Sequence, residues 1–258
     1  MRSSRRSTLL AAASALLLGL VLISRGESAE VQVAVASNFA APAKSLARAF
    51  HRTTGHRAVI SLGATGKLYA QIRQGAPYEV LLAADAATPA KLIDEGLALA
   101  DTRMTYAIGR LVLWSRDTDR MDSNGKILSQ GQFRRLAIAN PKLAPYGAAA
   151  VQTLQALGAL ERLRSRLVEA ANINQTFQFV ASGNAEVGFV ALSQVTRHDR
   201  LQKGSAWIVP ANLHDPIIQE AVVLKRAGRN PAAQAWIRYL ASNSAHEIIR
   251  SYGYELPR

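Results

Sequence analysis

From about residue 30 onward, short apolar, β-branched runs alternate with segments whose apolar residues recur at helical spacing, and that alternation admits few folds. Val31–Val35 reads as a strand, and Leu46, Ala49 and Phe50 mark a helix that begins near Pro42, a favourable first-turn residue. Ala58–Ser61 predicts the next strand. Lys67–Gln74 predicts a helix with Leu68 and Ile72 four apart, and Val80–Ala84 is a continuous apolar run of the kind a parallel sheet buries on both faces. Thr88-Pro89 reads as an N-cap and first-turn proline of a helix that Gly96 ends. A second unit starts with the strand Leu111–Trp114, passes through a turn-rich stretch containing Ser123-Asn124-Gly125, and resumes with the strand Leu136–Ala139. Helices over about 148–157, 160–168 and 174–182 follow, with strands at 187–190 and 206–209. The chain then returns through a strand at 217–224 and helices near 231–242 and 245–252, the last stopped by Gly253.

This pattern predicts an α/β fold with mainly parallel sheets. The two units are joined without a long disordered linker, so the chain is expected to cross between them more than once. No internal repeat is visible. Ligands of open α/β sheets bind beyond the carboxyl ends of the strands, which places the expected site in a cleft between two lobes.

The first residues stand apart from this pattern. Arg2, Arg5 and Arg6 precede an apolar stretch from Leu9 to Ile23 that Arg25 closes, the layout of a secretory signal rather than a membrane span. Ser4-Arg5-Arg6-Ser7-Thr8-Leu9-Leu10 also has the form of a weak twin-arginine signal, so either the general or the twin-arginine route is open. Residues 1–29 are read as the signal, with cleavage after Ala29, although Glu27 stands where a small residue is usual. An exported chain with no cysteine has neither disulfides nor a lipid-modified cysteine and must rely on an apolar core. With the signal go four of the 31 basic and one of the 18 acidic residues, leaving a net charge near +10. The arginines and lysines are spread along helices without interleaved aromatics, which argues against nucleic acid and for general anion attraction.

Three polar clusters sit where a strand gives way to a helix: Ala36-Ser37-Asn38, Ala64-Thr65-Gly66-Lys67 and Pro145-Tyr146-Gly147. Helix starts offer free N–H groups and a positive dipole end, so converging starts suit a small anion. Each residue taken alone has a plainer reading. Ser37, Asn38 and Thr65 could cap helices, and Tyr146 could be a packed aromatic. A fourth start follows Asn172, where the useful group would be the Ile173 N–H. Against catalysis stand the absence of a G-x-S-x-G elbow, of a cysteine nucleophile and of metal-ligand spacing; the five histidines are scattered. Asp85 and Asp215 remain the one candidate acid-base pair, the basis of an exported-hydrolase alternative, with turn or hinge roles as the plainer reading.

In order and spacing the motifs resemble the periplasmic molybdate-binding proteins of ATP-driven uptake systems, the ModA type. The matching stretches are Val33–Phe39, Gly63–Tyr69, Leu81–Asp85, Tyr106–Trp114, Ala139-Asn140-Pro141 with Ala144–Gly147, and Tyr252-Gly253-Tyr254, so the likeness covers essentially the whole mature chain. The resemblance implies a two-lobed periplasmic binding protein of type II, with one lobe from 30–108 plus 214–258 and the other from 109–213. It implies ligand positions at Ser37 or Asn38, Thr65, Tyr146 and Ile173, no catalytic residues and no cofactor. Molybdenum would be bound only as its oxyanion, molybdate or tungstate, by a monomer that delivers it to the membrane permease of an ABC importer. Thr65 stands where the family commonly has serine, and Ala191 where some relatives carry a tyrosine. Sulfate or another tetrahedral oxyanion is the alternative ligand. An unprotonated dianion suits a site made only of donors, whereas phosphate often keeps a proton that needs an acceptor.

Overall fold

In a computed structural model, residues 28–122, 124–198 and 200–257 are described. All but the last two residues of the expected export signal lie outside them. The first half runs β1 (Glu30–Ala36), α1 (Ala40–Thr54), β2 (Arg57–Gly63), α2 (Thr65–Arg73), β3 (Val80–Leu82), α3 (Ala87–Asp94) and β4 (Met104–Gly109). The middle runs β5 (Leu111–Ser115), α4 (Ile127–Gln130), β6 (Leu136–Ala139), α5 (Pro145–Ala156), α6 (Leu160–Leu163), β7 (Leu167–Ala170), α7 (Ile173–Ala181), β8 (Val187–Ala191) and α8 (Leu192–Val195). A small ribbon of β9 (Thr196–Arg197) and β10 (Arg200–Leu201) precedes β11 (Ser205–Ile208), and β12 (Ile217–Val223), α9 (Pro231–Leu240) and α10 (Asn243–Arg250) complete the chain.

The strands form two five-stranded sheets, ordered β2-β1-β3-β12-β4 and β11-β5-β8-β6-β7. In the first, β1 pairs in parallel with β2 and β3, while β12 runs antiparallel between β3 and β4. In the second, β6 pairs in parallel with β7 and β8, while β5 runs antiparallel between β8 and β11. Both sheets therefore carry one reversed strand in the same place. The repeated topology has no counterpart in a sequence repeat, because side-chain identity on matching strands is unconstrained once burial is satisfied.

Burial on both faces explains the continuous apolar runs. Val31, Val33 and Val35 of β1 pack under α1, α9 and α10 with Phe50 and Trp236, while Ala34 points to the other face, with Leu81 and with Leu68 and Ile72 of α2. In the second sheet Leu111, Leu113 and Phe189 meet α5, and Val112, Trp114 and Val190 meet Val180 of α7. The chain passes between sheets at Gly109–Leu111 and again between Ile208 and Ile217.

Most expected elements appear within a few residues of their sequence limits, and the differences have local causes. The helix expected over 160–168 ends at Leu163, continues as a 3-10 turn over Arg164–Arg166, and gives way to β7, an edge strand held only by β6 and mostly unburied. β4 was not anticipated; its register comes from β12 and from the C-terminal tail, with Ile108 and Glu255 exchanging two backbone hydrogen bonds. Thr88 does not cap α3. The cap position is Ala86, and Asp85 Oδ1 accepts from the Thr88 N–H at 2.7 Å.

Candidate anion site between the lobes

Ser37, Asn38, Thr65, Tyr146 and Ile173 all line one small cavity between the sheets, completed by Ala36, Gly63, Ala64, Ala84, Ala144 and Pro145. Ser37, Asn38 and Thr65 follow the carboxyl ends of β1 and β2, whereas Tyr146 and Ile173 open α5 and α7 of the other lobe. All five are at most 5% exposed. Among the described residues no Asp, Glu, Lys, Arg or His belongs to the lining; Lys67, the one charged residue of the three clusters, is exposed and does not line it.

Three of the four helix starts at this cavity lack a side-chain cap. Ala36 precedes the 3-10 turn Ser37–Phe39 that leads into α1, Ala64 precedes α2 and Ala144 precedes α5, and none of the three starts has a side-chain cap bond. Away from the cavity, α3 and α6 likewise begin on alanine, at Ala86 and Ala159, whereas Asn230 and Ser242 cap α9 and α10 with their side chains. An alanine cap forgoes about 0.5–2 kcal/mol relative to Ser or Asn, and it leaves the first N–H groups for another acceptor. At α7 the Asn172 side chain accepts from Asn174 and Gln175, two and three residues on, and leaves the Ile173 N–H unused. Among the described residues the N–H groups of Thr65, Tyr146 and Ile173 have no intramolecular acceptor.

The side chains divide into free and engaged donors. Thr65 is the first residue of α2 rather than its cap, and its hydroxyl accepts from the Ala84 N–H at 3.1 Å, which leaves the hydroxyl proton to be donated. Among the described residues the Ser37 hydroxyl has no partner, so it too can donate. Asn38 behaves differently: both its amide protons are used within the protein, on Gln219 Oε1 at 2.8 Å and Tyr254 Oη at 3.0 Å. The Tyr146 phenol accepts from Gln219 Nε2 at 3.2 Å. Burial drives the Tyr146 and Tyr106 phenols well above the ordinary tyrosine value and lifts Tyr254 to about 12, so all three stay neutral. The cavity is thus a neutral, donor-rich box at the positive ends of several helices.

Gly66 allows the lobes to meet beside it. Its N–H donates to the Leu143 carbonyl at 2.9 Å, and a Cβ at this position would sit 3.2 Å from Leu143 Cα. Asp85 and Asp215 line an adjoining groove, which shares Ala84, Ala144 and Pro145 with the cavity. Neither carboxylate is presented to a nucleophile: Asp85 accepts from the Thr88 N–H, and Asp215 is held by the Gln152 amide at 2.6 Å. Sequence reading missed the buried partners behind the cavity, Gln219, Tyr106, Ser193 and Tyr254. The available signal was Gln219-Glu220 inside the otherwise apolar strand Ile217–Val223.

A two-lobed fold with a small anion-suited cavity between its lobes defines a solute-binding protein rather than a single-sheet enzyme domain. Residues 31–255 match the bacterial extracellular solute-binding protein family, and the chain belongs to it. It is 53% identical to the molybdate-binding protein ModA of Azotobacter vinelandii over 236 residues, covering 92% of this chain and 94% of the relative. Identity to the ModA of Rhodobacter capsulatus is 47% over 247 residues, covering 96% of each. Among solved structures, the periplasmic molybdate-binding protein of Azotobacter vinelandii superposes with a TM-score of 0.86 at 42% identity, covering 88% of this chain and all of that one. The fold is accordingly that of the two-lobed periplasmic binding proteins.

Proposed function

We propose that this protein captures molybdate, and tungstate with it, as the exported binding component of an ABC importer. The observation that carries the reading is the composition of the interlobe cavity: hydroxyl and backbone donors at four helix starts, with no ionisable group other than a phenol held neutral. The identity to molybdate-binding relatives supports the choice of ligand. The ligand set is Ser37, Thr65, Tyr146 and Ile173, with Asn38 contributing through the backbone while its amide holds the wall. Backbone dipoles stabilise a dianion without a buried countercharge, and the lack of an acceptor disfavours protonated phosphate. Sulfate carries the same charge on shorter bonds, so it is rejected by size: in a box fixed by two lobes, several charge-assisted bonds of roughly 1.5–3 kcal/mol each lengthen together.

On this reading the first lobe comprises 30–108 and 214–258, the second 109–213, and the chain acts as a monomer that binds one oxyanion and presents it to a membrane permease. Residues 1–29 direct export to the periplasm. The protein uses no cofactor, turns over no substrate and binds no nucleic acid. Isothermal titration of ligand-free protein with molybdate, tungstate, sulfate and phosphate tests the reading. One site per chain for the first two, with sulfate and phosphate much weaker, is the expected result, and preferential sulfate binding would overturn the ligand assignment.

A further inference from the structure

Behind the cavity lies a buried polar network whose members come from both lobes. Gln219 is fully buried at its centre. Its Oε1 receives Asn38 Nδ2 at 2.8 Å and lies 3.0 Å from Tyr106 Oη, and its Nε2 donates to Tyr146 Oη at 3.2 Å across the lobe boundary. A second cross-lobe contact sits beside it, where Ser193 Oγ of α8 lies 3.0 Å from the Asn38 carbonyl and 2.9 Å from Tyr254 Oη. The backbone is shaped for this arrangement. β4 carries one extra residue, Tyr106, opposite the Gln219–Glu220 step of β12, and the bulge brings Tyr106 and Gln219 onto the same side.

Gly109 supplies an independent observation. It is the last residue of β4, where the chain crosses to the second sheet, and its φ lies outside the left-handed region. A Cβ there would overlap Tyr146 Oη and lie 2.6 Å from Gln219 Nε2. Glycine at this point is therefore explained by space for the Gln219–Tyr146 bond and not by backbone conformation.

We propose that Gln219 is a positioning residue for the oxyanion site and the pivot of a cross-lobe latch, registering Asn38 of one lobe against Tyr146 of the other as the lobes close. The proposal rests on the oxyanion reading for its ligand but not for its geometry, since every bond in the latch is between protein groups. Opening the cleft exposes Gln219 Nε2 and Tyr146 Oη to water, so the bond discriminates the closed arrangement from the open one and acts on ligand escape more than on ligand entry.

Two variants separate this from a plain structural role. Gln219→Leu removes the pivot, and Gly109→Ala wedges a methyl group into the latch while keeping every polar group. Stopped-flow tryptophan fluorescence with molybdate should show dissociation accelerated about tenfold or more in both, with association changed less than about twofold. Far-UV circular dichroism of ligand-free Gly109→Ala should match wild type, showing that the fold is kept. Unchanged dissociation in both variants overturns the latch, as does a lowered ligand-free melting temperature with dissociation unaltered. Titration of the wild type with molybdate and tungstate decides the functional reading separately. If it binds neither, that reading fails and the latch is judged on ligand-free solution scattering: Gly109→Ala must have larger dimensions than wild type, and equal dimensions overturn it.

Discussion

Thr65 has two tasks that one hydroxyl can perform together: it accepts from the Ala84 N–H and keeps its proton for a guest. Thr65→Val removes both functions at nearly constant volume. Affinity for molybdate should fall by roughly 1.5–3 kcal/mol, about ten- to a hundred-fold, and stability should fall by about 1–3 kcal/mol because the buried Ala84 N–H loses its acceptor. Thr65→Ser keeps both and should bind nearly as wild type; titration and thermal melting of the two variants check this, and unchanged affinity in Thr65→Val would remove the residue from the site. Asp85 offers a contrasting case. Burial raises its carboxyl above the ordinary value of 3.8, against the lowering effect of the Thr88 N–H. A folded value above the unfolded one means that the folded state holds the proton more tightly. Ionised Asp85 therefore costs stability at neutral pH, and that cost disappears as pH falls through the raised folded value to below 3.8. Asp85→Asn keeps an acceptor for Thr88, so its melting temperature should exceed wild type near pH 7, with the gap closing in acid and molybdate affinity unchanged. A loss of affinity in Asp85→Asn would instead place the carboxylate in the site.

At the level of elements, three helix starts facing one cavity carry alanine at the cap, as α3 and α6 do elsewhere, while side chains cap α7, α9 and α10. Ala144→Ser tests what the missing cap is for. Its extended backbone, φ −124° and ψ 116°, suits a capping serine, which should stabilise the ligand-free protein by about 0.5–1 kcal/mol while competing for the N–H groups of α5 and weakening molybdate binding. Denaturant melts and titration measure the two effects, and tighter binding would show that these N–H groups do not serve the ligand. The helix starts themselves were legible, because strand-to-helix changes leave a mark in apolar spacing. Their caps were not: Ser37, Asn38 and Thr65 look like capping residues in sequence, and only the backbone shows that alanine holds each cap position. β7 and β4 escaped detection for a related reason, since an edge strand and a bulged strand owe their conformation to partners distant in the chain.

For the whole molecule, a cavity assembled from both lobes predicts that molybdate draws them together. Solution scattering should show contraction on saturation, and identical dimensions with and without ligand would count against closure. Ligand at a free concentration of 100 times Kd should also stabilise the protein by about 2.7 kcal/mol in thermal melts. By itself the sequence determined the α/β class, the two units crossed more than once, and the residues that meet at the cavity. The first two follow from burial periodicity, which acts over a few residues, and the third from helix-start chemistry together with the family resemblance that the motifs carry. Only the tertiary structure decided which donors remain free. Gln219 lies 181 residues from Asn38 and 73 from Tyr146, and Tyr254 lies 216 from Asn38. No local pattern records those pairings; they arise when the two lobes meet and polar groups buried between them must find partners there.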